Sequence, residues 1–134
     1  MPSLRRDVVI LACAISAGIH GALAPDHFTE GLGAGGGFVV ATVVLALLAI
    51  VLTRRPDSRP ALAGAAAVLV GLIGSYALAT TTGLPVMHPD PEPVEGLALA
   101  TKAIEAAGAL AAASLLRHRP LGAPTFLRPK GTLT

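Results

Sequence analysis

Four long apolar segments constrain the fold of this 134-residue chain more than any other feature of its sequence. A helix needs about 20 mainly apolar residues to cross a hydrocarbon core about 30 Å thick. Such segments cover residues 8–24, 32–53, 61–84 and 94–116, and proline or charged residues separate them. We therefore predict one all-α domain over residues 1–134, an antiparallel four-helix bundle embedded in the lipid bilayer. Residues 117–134 are predicted to form a tail.

The composition excludes an ordinary soluble protein. Charged residues make up 13% of the chain and apolar residues 53%, whereas soluble domains carry about 25% charged residues. No basic helix face or aromatic platform accompanies the net charge of +2, which argues against a nucleic-acid partner. The first segment follows Arg5 and Arg6 but has a poor cleavage pattern before Pro25. We predict that it is a retained helix and not a cleaved signal peptide.

The distribution of charge predicts the orientation of the helices. Apart from Lys102, all basic residues lie near the N-terminus, in the middle loop or near the C-terminus: Arg5, Arg6, Arg54, Arg55, Arg59, Arg117, Arg119, Arg128 and Lys130. The two other loops contain only acidic charges: Asp26, Glu30, Asp90, Glu92 and Glu95. Because basic loops stay on the cytoplasmic side, both termini are predicted to lie in the cytoplasm, with the protein in the cell membrane.

Small residues recur at helix-packing spacing. They lie four residues apart on three of the segments: Gly33 and Gly37, Gly71 and Ser75, and Ala103, Ala107 and Ala111. Small residues let helix backbones approach closely in a membrane. We expect these positions to form helix contacts in a compact bundle.

Three of the four histidines lie near the acidic loops, namely His20, His27 and His88. If a helix continues through Pro25, His20 and His27 share one face at i, i+7. Imidazole suits copper and zinc, and a site needs three or four converging donors. We predict that these three histidines form a copper or zinc site at the outer face. Met87, Asp26 and Glu30 are predicted as its further donors. The alternative is that these side chains are solvated loop residues.

The segment His20-Gly21-Ala22-Leu23-Ala24-Pro25-Asp26-His27-Phe28 contains a histidine four residues before a Pro-acid-His-Phe tetrad. It resembles a motif of uncharacterised small four-span membrane proteins of high-GC bacteria. The stretches from Gly83 to Val94 and around Lys102 and Glu105 are similar to the same family. This resemblance implies the four-span topology and this choice of motif, and it implies no particular activity.

Two charged residues fall inside the fourth apolar segment. Lys102 and Glu105 are spaced i, i+3, which permits an ion pair on one helix face, and Glu105 lies about 15 Å below Glu95. A charge at the centre of a span costs about 2.5–3.5 kcal/mol on an insertion scale. We therefore predict that Glu105 faces the bundle interior, with Lys102 or Tyr76 as its nearest partner. The pair serves either a proton or ion route towards His20 or, as we favour, the structure alone.

Three functions from different classes fit these residues. The first is metal binding at the outer face. The second is an accessory subunit of a larger membrane complex, of the respiratory or monooxygenase type. The third is a haem carrier with His20 and His88 as axial ligands, which is disfavoured because His88 lies in a proline-rich loop. No nucleophile–base constellation, phosphate-binding loop or dinucleotide motif is present in the sequence, so no catalytic residue or enzymatic reaction is predicted.

Overall fold

The computed structural model describes residues 1–85 and 90–117. Over these residues it contains four helices and agrees with the predicted all-α bundle. The helices are α1 (Pro2–Glu30), α2 (Leu32–Arg54), α3 (Arg59–Thr81) and α4 (Gly96–Arg117). All four are long and apolar enough to cross a membrane. The predicted tail lies outside the described residues, apart from Arg117 at the end of α4.

Local sequence signals explain where α3 begins and ends. Ser58 precedes the helix, and its hydroxyl accepts a hydrogen bond from the Ala61 N–H at 3.4 Å. This is the usual way in which an N-cap side chain satisfies a free helical donor. Beyond the other end, Gly83 has a φ of 73°, a left-handed conformation that glycine adopts without steric cost. The helix therefore stops at Thr81 and not at the predicted residue 84.

The predicted break at Pro25 is wrong. The first helix continues through Pro25 to Glu30, and the chain reverses at Gly31. Proline removes one backbone donor and so leaves the Gly21 carbonyl without its helical partner. That loss lies near the end of the helix, where the remaining turn still closes through the Gly31 N–H bonded to the His27 carbonyl at 3.2 Å. His20 and His27 consequently lie on one continuous helix.

The helices form an antiparallel bundle with two chemically different ends. In the described residues, α1 packs against α2 and α4, and α3 packs against α4 and less extensively against α2. At one end, Arg6 forms an ion pair with Asp57, and the Arg59 guanidinium donates to the Leu116 carbonyl at 3.4 Å. We call this the basic end. The opposite, acidic end carries the α1–α2 turn and the α3–α4 connection.

The half of the bundle nearer the basic end is filled with apolar side chains. Its core is a continuous cluster made of Val9, Cys13, Ala17, Leu45, Ala49, Leu52, Ala61, Leu62, Ala65, Leu69, Ala109 and Ala112. Burial of this apolar surface excludes water from the basic half. Access to the middle of the bundle is therefore more favourable from the acidic end.

Close helix contacts occur at two glycines that the sequence did not single out. A Cβ atom on Gly108 would lie 2.5 Å from the Ala12 Cβ and 2.9 Å from the Leu69 Cδ1. Gly35 lies directly against the Phe28 ring. By contrast, a Cβ on Gly71 would meet nothing within 4 Å, and the two alanines Ala103 and Ala107 are exposed. The α1–α4 contact therefore depends on Gly108.

We predict that Gly108→Ala destabilises the bundle by about 1–3 kcal/mol, because overpacking a tight contact forces side chains and backbone apart. Gly74→Ala is the matched control: its Cβ would meet nothing within 4 Å, and the change should be neutral or stabilise by about 0.5–1 kcal/mol. Adding Ala12→Gly to Gly108→Ala should recover stability. Thermal unfolding in detergent measures all three variants. Equal effects of Gly108→Ala and Gly74→Ala would contradict the proposed contact.

Candidate functional site

A buried ion pair lies in the middle of the bundle. Glu105 is fully buried, and its Oε2 accepts a hydrogen bond from the Lys102 Nζ at 2.6 Å. Its other oxygen, Oε1, accepts from the Ser16 hydroxyl of α1, also at 2.6 Å. The structure thus places Glu105 in the interior with Lys102 as partner, as the i, i+3 spacing predicts. Both carboxylate oxygens are bonded, which a buried charge requires.

His20 extends this arrangement towards the acidic end. The residue is only 7% exposed, and its Nδ1 lies 2.8 Å from the Ser16 carbonyl and 3.3 Å from the Ser16 hydroxyl. Because a carbonyl can only accept, Nδ1 carries the hydrogen. The other ring nitrogen, Nε2, makes no hydrogen bond to any described residue. We call Ser16, His20, Lys102 and Glu105 the buried polar network.

A cavity of about 660 Å³ connects this network with the acidic end. Its rim carries three carboxylate side chains, from Glu30, Glu92 and Glu95. Its inner part reaches His20 and Lys102. The walls between are largely apolar, with Ile19, Leu23, Phe38, Ala41, Leu72 and Leu97 among the lining residues. A small cation or water molecule entering from the acidic end thus passes carboxylates before it meets the network.

Tyr76 contacts the ion pair through its ring. The Lys102 Nζ lies 5.7 Å from the centre of the Tyr76 ring, a cation–π distance. The Tyr76 hydroxyl is buried and has no hydrogen-bond partner in the described part of the chain. Tyr76 was predicted as an alternative partner of Glu105, but Lys102 and Ser16 occupy that role.

His27 lies at the outer part of the same cavity. Its Nδ1 donates to the Leu23 carbonyl at 3.0 Å, and its Nε2 lies 4.0 Å from the Glu30 Oε2. Its ring stacks on Phe38, with 3.7 Å between the ring centres and an interplanar angle of 23°. Backbone bonding and stacking together fix this imidazole, with Nε2 directed towards a carboxylate.

The predicted convergence of His20, His27 and His88 on one ion stays a prediction, because His88 lies outside the described residues. The Phe38 ring packs against both of the other imidazoles, with its centre 5.1 Å from that of His20 and 3.7 Å from that of His27. Two helical turns, about 10 Å along α1, separate the backbones of these two histidines. Across residues 1–85 and 90–117, no three His, Cys, Asp or Glu side chains form a group that could hold a metal ion.

The remaining predicted donors have different positions. Asp26 is exposed and does not line the cavity. Met87 and His88 lie outside the described residues, although Leu84 and Glu92 on either side of them line the cavity. The contribution of Met87 and His88 to a metal site therefore stays a prediction.

Two residues of this region were not predicted as site residues. The number of residues between Ser16 and the end of its helix puts its side chain at about the same depth in the membrane as Glu105. That depth identifies Ser16 as a possible partner of the carboxylate. Phe38 gives no such signal, because a phenylalanine within an apolar span is expected to face lipid or core. Its contact with two histidines follows only from the packing of α1 against α2.

Comparisons of the chain with protein-family models, curated proteins and solved structures gave no match. The resemblance of residues 20–28 to small four-span membrane proteins stays a prediction.

We predict that breaking the ion pair costs more than removing it. Lys102→Met leaves the fully buried Glu105 without its counter-ion, and losing one partner of a buried pair typically costs about 3–5 kcal/mol. The double variant Lys102→Met, Glu105→Gln removes both charges and should be more stable than Lys102→Met alone. Chemical unfolding in detergent measures the difference. A double variant that is less stable than Lys102→Met would contradict this account.

Proposed function

We propose that this chain is a multi-pass membrane protein that binds a copper or zinc ion at the mouth of the acidic-end cavity. His27 and Glu30 form the nucleus of the site. His20 belongs to the buried polar network through Ser16, and we do not assign it as a ligand of this ion. Further donors come from the α3–α4 connection, where the sequence predicts His88 and Met87 and where Glu92 lines the same cavity.

The observation that carries the proposal is the fixed pairing of His27 with Glu30. The Nδ1–H of His27 is bonded to a backbone carbonyl, the arrangement that orients metal-binding histidines and leaves Nε2 as the ligating atom. That Nε2 lies 4.0 Å from a carboxylate oxygen. Ligand distances of about 2.0–2.2 Å and tetrahedral geometry would bring these two atoms to about 3.4 Å from each other. The Glu30 side chain, 46% exposed, would have to move roughly half an ångström closer to His27 to bind the same ion.

The electrostatics of the cavity favour a cation over an anion. Glu30, Glu92 and Glu95 contribute negative charge at the rim. The one lysine that lines the cavity, Lys102, is neutralised by Glu105 at 2.6 Å. A cleft lined by one sign of charge raises the local concentration of the opposite ion.

The proposal includes an orientation, with the basic end in the cytoplasm and the acidic end outside. The contacts of Arg6 with Asp57 and of Arg59 with the end of α4 place the basic segments together at one end of the bundle. The positive-inside rule then supports a cytoplasmic position for this end. The metal would accordingly be bound from the outer side.

We predict that Pro91→Cys is labelled by an impermeant thiol reagent added outside cells, and that Pro56→Cys is not. Both prolines are exposed, they lie at opposite ends of the bundle, and the native Cys13 is buried. A tag after Thr134 should be accessible only from the cytoplasm. Labelling of both cysteines from the same side would refute the orientation.

We predict about one copper or zinc ion per chain in protein purified in detergent and loaded with either metal. His27→Ala and Glu30→Gln should each lower the bound metal at least about tenfold, since each removes a ligand. His20→Ala is the matched control and should retain the metal, because the His20 ring is bonded to Ser16 in the buried polar network. Bound metal should fall on acidification, as a protonated imidazole cannot ligate. Elemental analysis and titration calorimetry measure these effects.

The same preparation tests the other members of the predicted donor set and the alternative function. His88→Ala and Met87→Ala report whether the α3–α4 connection supplies ligands. Equal metal content in the wild type and His27→Ala would refute the proposed site. Stable co-purification of other membrane proteins with the metal-free chain would then support the accessory-subunit alternative.

A further inference from the structure

We propose that Glu105 is a proton-binding site that is reached from the acidic end through His20 and Ser16. This inference rests on the buried polar network and is independent of metal binding at His27. The ligand is a proton, delivered from water in the cavity. Its uptake neutralises Glu105 and separates it from Lys102.

Two hydrogen bonds of the network end on the Glu105 carboxylate, from Ser16 and from Lys102. The His20 Nδ1 lies 2.8 Å from the Ser16 carbonyl oxygen, and the Ser16 hydroxyl oxygen lies within reach of the same nitrogen at 3.3 Å. The Ser16 hydroxyl in turn donates to the Glu105 Oε1 at 2.6 Å. The series therefore links the His20 ring to the carboxylate through a single hydroxyl.

Proton transfer along this series balances without any further reactant. A proton from cavity water binds Nε2 of His20, and Nδ1 passes its own proton to the Ser16 oxygen. The hydroxyl proton of Ser16 moves to Glu105 Oε1. The products are a neutral imidazole with its hydrogen on Nε2, an intact hydroxyl and a protonated Glu105. Release of the proton from Glu105 by the reverse transfers returns the imidazole to its original tautomer.

The two ends of the network differ in their access to water. His20 and Lys102 line the cavity, which continues to the rim at the acidic end. On the other side of Glu105, the bundle is closed by the apolar core with Val9, Leu45 and Leu69 among its members. Proton uptake is therefore one-sided, and the network does not form a path across the bundle.

The charge that remains after Glu105 takes up a proton lies where it can be stabilised. Glu105 itself is fully buried. The positive charge that remains is that of Lys102, whose side chain is 16% exposed and lines the cavity. Water and the carboxylates of Glu92 and Glu95 can stabilise the ammonium there.

Titratable groups surround Glu105 on three helices. On α1 they are His20, reached through Ser16, and the buried Cys13 one turn nearer the basic end; the His27 ring stacks on Phe38. On α4 the facing group is Lys102, and on α3 it is Tyr76, whose ring contacts Lys102. The α2 segment 32–53 contains no titratable side chain. A response of Glu105 to pH must therefore be separated from one of the histidines.

The sequence contains a built-in probe for this purpose. Tyr76 is the sole tyrosine of the chain, and tryptophan is absent from the sequence. Because the Lys102 ammonium lies 5.7 Å from the Tyr76 ring centre, movement of Lys102 away from Glu105 changes the environment of the only strong intrinsic fluorophore. A stopped-flow drop in pH, followed by Tyr76 emission, reports this movement in the full-length protein in detergent.

We expect the wild type to show a Tyr76 emission change on acidification, accompanied by the infrared carbonyl band of a protonated carboxylic acid. Glu105→Gln should lose the emission change and should lack only the part of the carbonyl band that one buried carboxylic acid contributes, because the exposed carboxylates of the chain are protonated as well. Positioned proton-transfer groups contribute about 10²–10⁴-fold to rates, so Ser16→Ala should slow the emission change at least about tenfold. Ser75→Ala is the matched control, because this hydroxyl lines the cavity but donates to the Leu72 carbonyl. It should respond at the wild-type rate.

The end of the bundle at which the pH is lowered provides a second test. In vesicles of known protein orientation, acidification at the acidic end should change Tyr76 emission at once, and acidification at the basic end should not.

The proposal is overturned if the wild type gives no response, if Glu105→Gln retains it, or if Ser16→Ala responds as fast as Ser75→Ala. A response triggered equally from both ends also overturns it. The double variant Lys102→Met, Glu105→Gln, which carries no network charge, should also be silent. A cooperative unfolding transition of this variant and of Glu105→Gln in detergent checks that the loss does not reflect misfolding.

Discussion

The carboxylate of Glu105 is the constraint on which the rest of the bundle depends. A charge in the middle of four apolar helices is tolerated only when its oxygens are bonded and its charge is matched. Lys102 supplies the charge from the same helix, but the second bond comes from Ser16 on α1. This bond fixes the rotation of α4 relative to α1. The same rotation brings Gly108 against Ala12, where a side chain on residue 108 would not fit.

The polar network also marks a boundary within the bundle. On the basic side of it, small and branched apolar residues fill the interior, and Leu45 and Leu69 are fully buried. On the acidic side, the helices enclose a cavity with carboxylates at its rim. The apolar half holds the helices together, whereas the acidic half admits water and ions. The packed apolar half therefore holds in position the helices that carry His27 and the buried polar network.

Much of the fold could be predicted from the sequence, because span length, proline and charge act locally. The pairing of Lys102 with Glu105 also follows from spacing within one helix. Other features depend on which helix faces meet, which one sequence does not specify. Gly108 and Phe38 are examples: each matters only through a neighbour on another helix. The end of α1 was predicted wrongly at Pro25 for a different reason. One hydrogen bond lost near the end of a helix does not stop the helix, and α1 continues to Glu30.

The separation of Ser16 from Glu105 by 89 positions in the chain has a consequence for biogenesis. A single residue, Gly31, joins α1 to α2, so these two helices enter the bilayer as a hairpin. The hydroxyl of Ser16 then has no partner on α4 until that helix, which is synthesised after α3, arrives. Glu105 carries its own counter-ion three residues away, and α4 can therefore enter lipid as a neutral segment. Docking of α4 onto the hairpin is thus the step that completes the polar interior. A chain truncated before α4 would contain α1, α2 and α3 with the Ser16 hydroxyl left without its partner, and we expect the cell to degrade it.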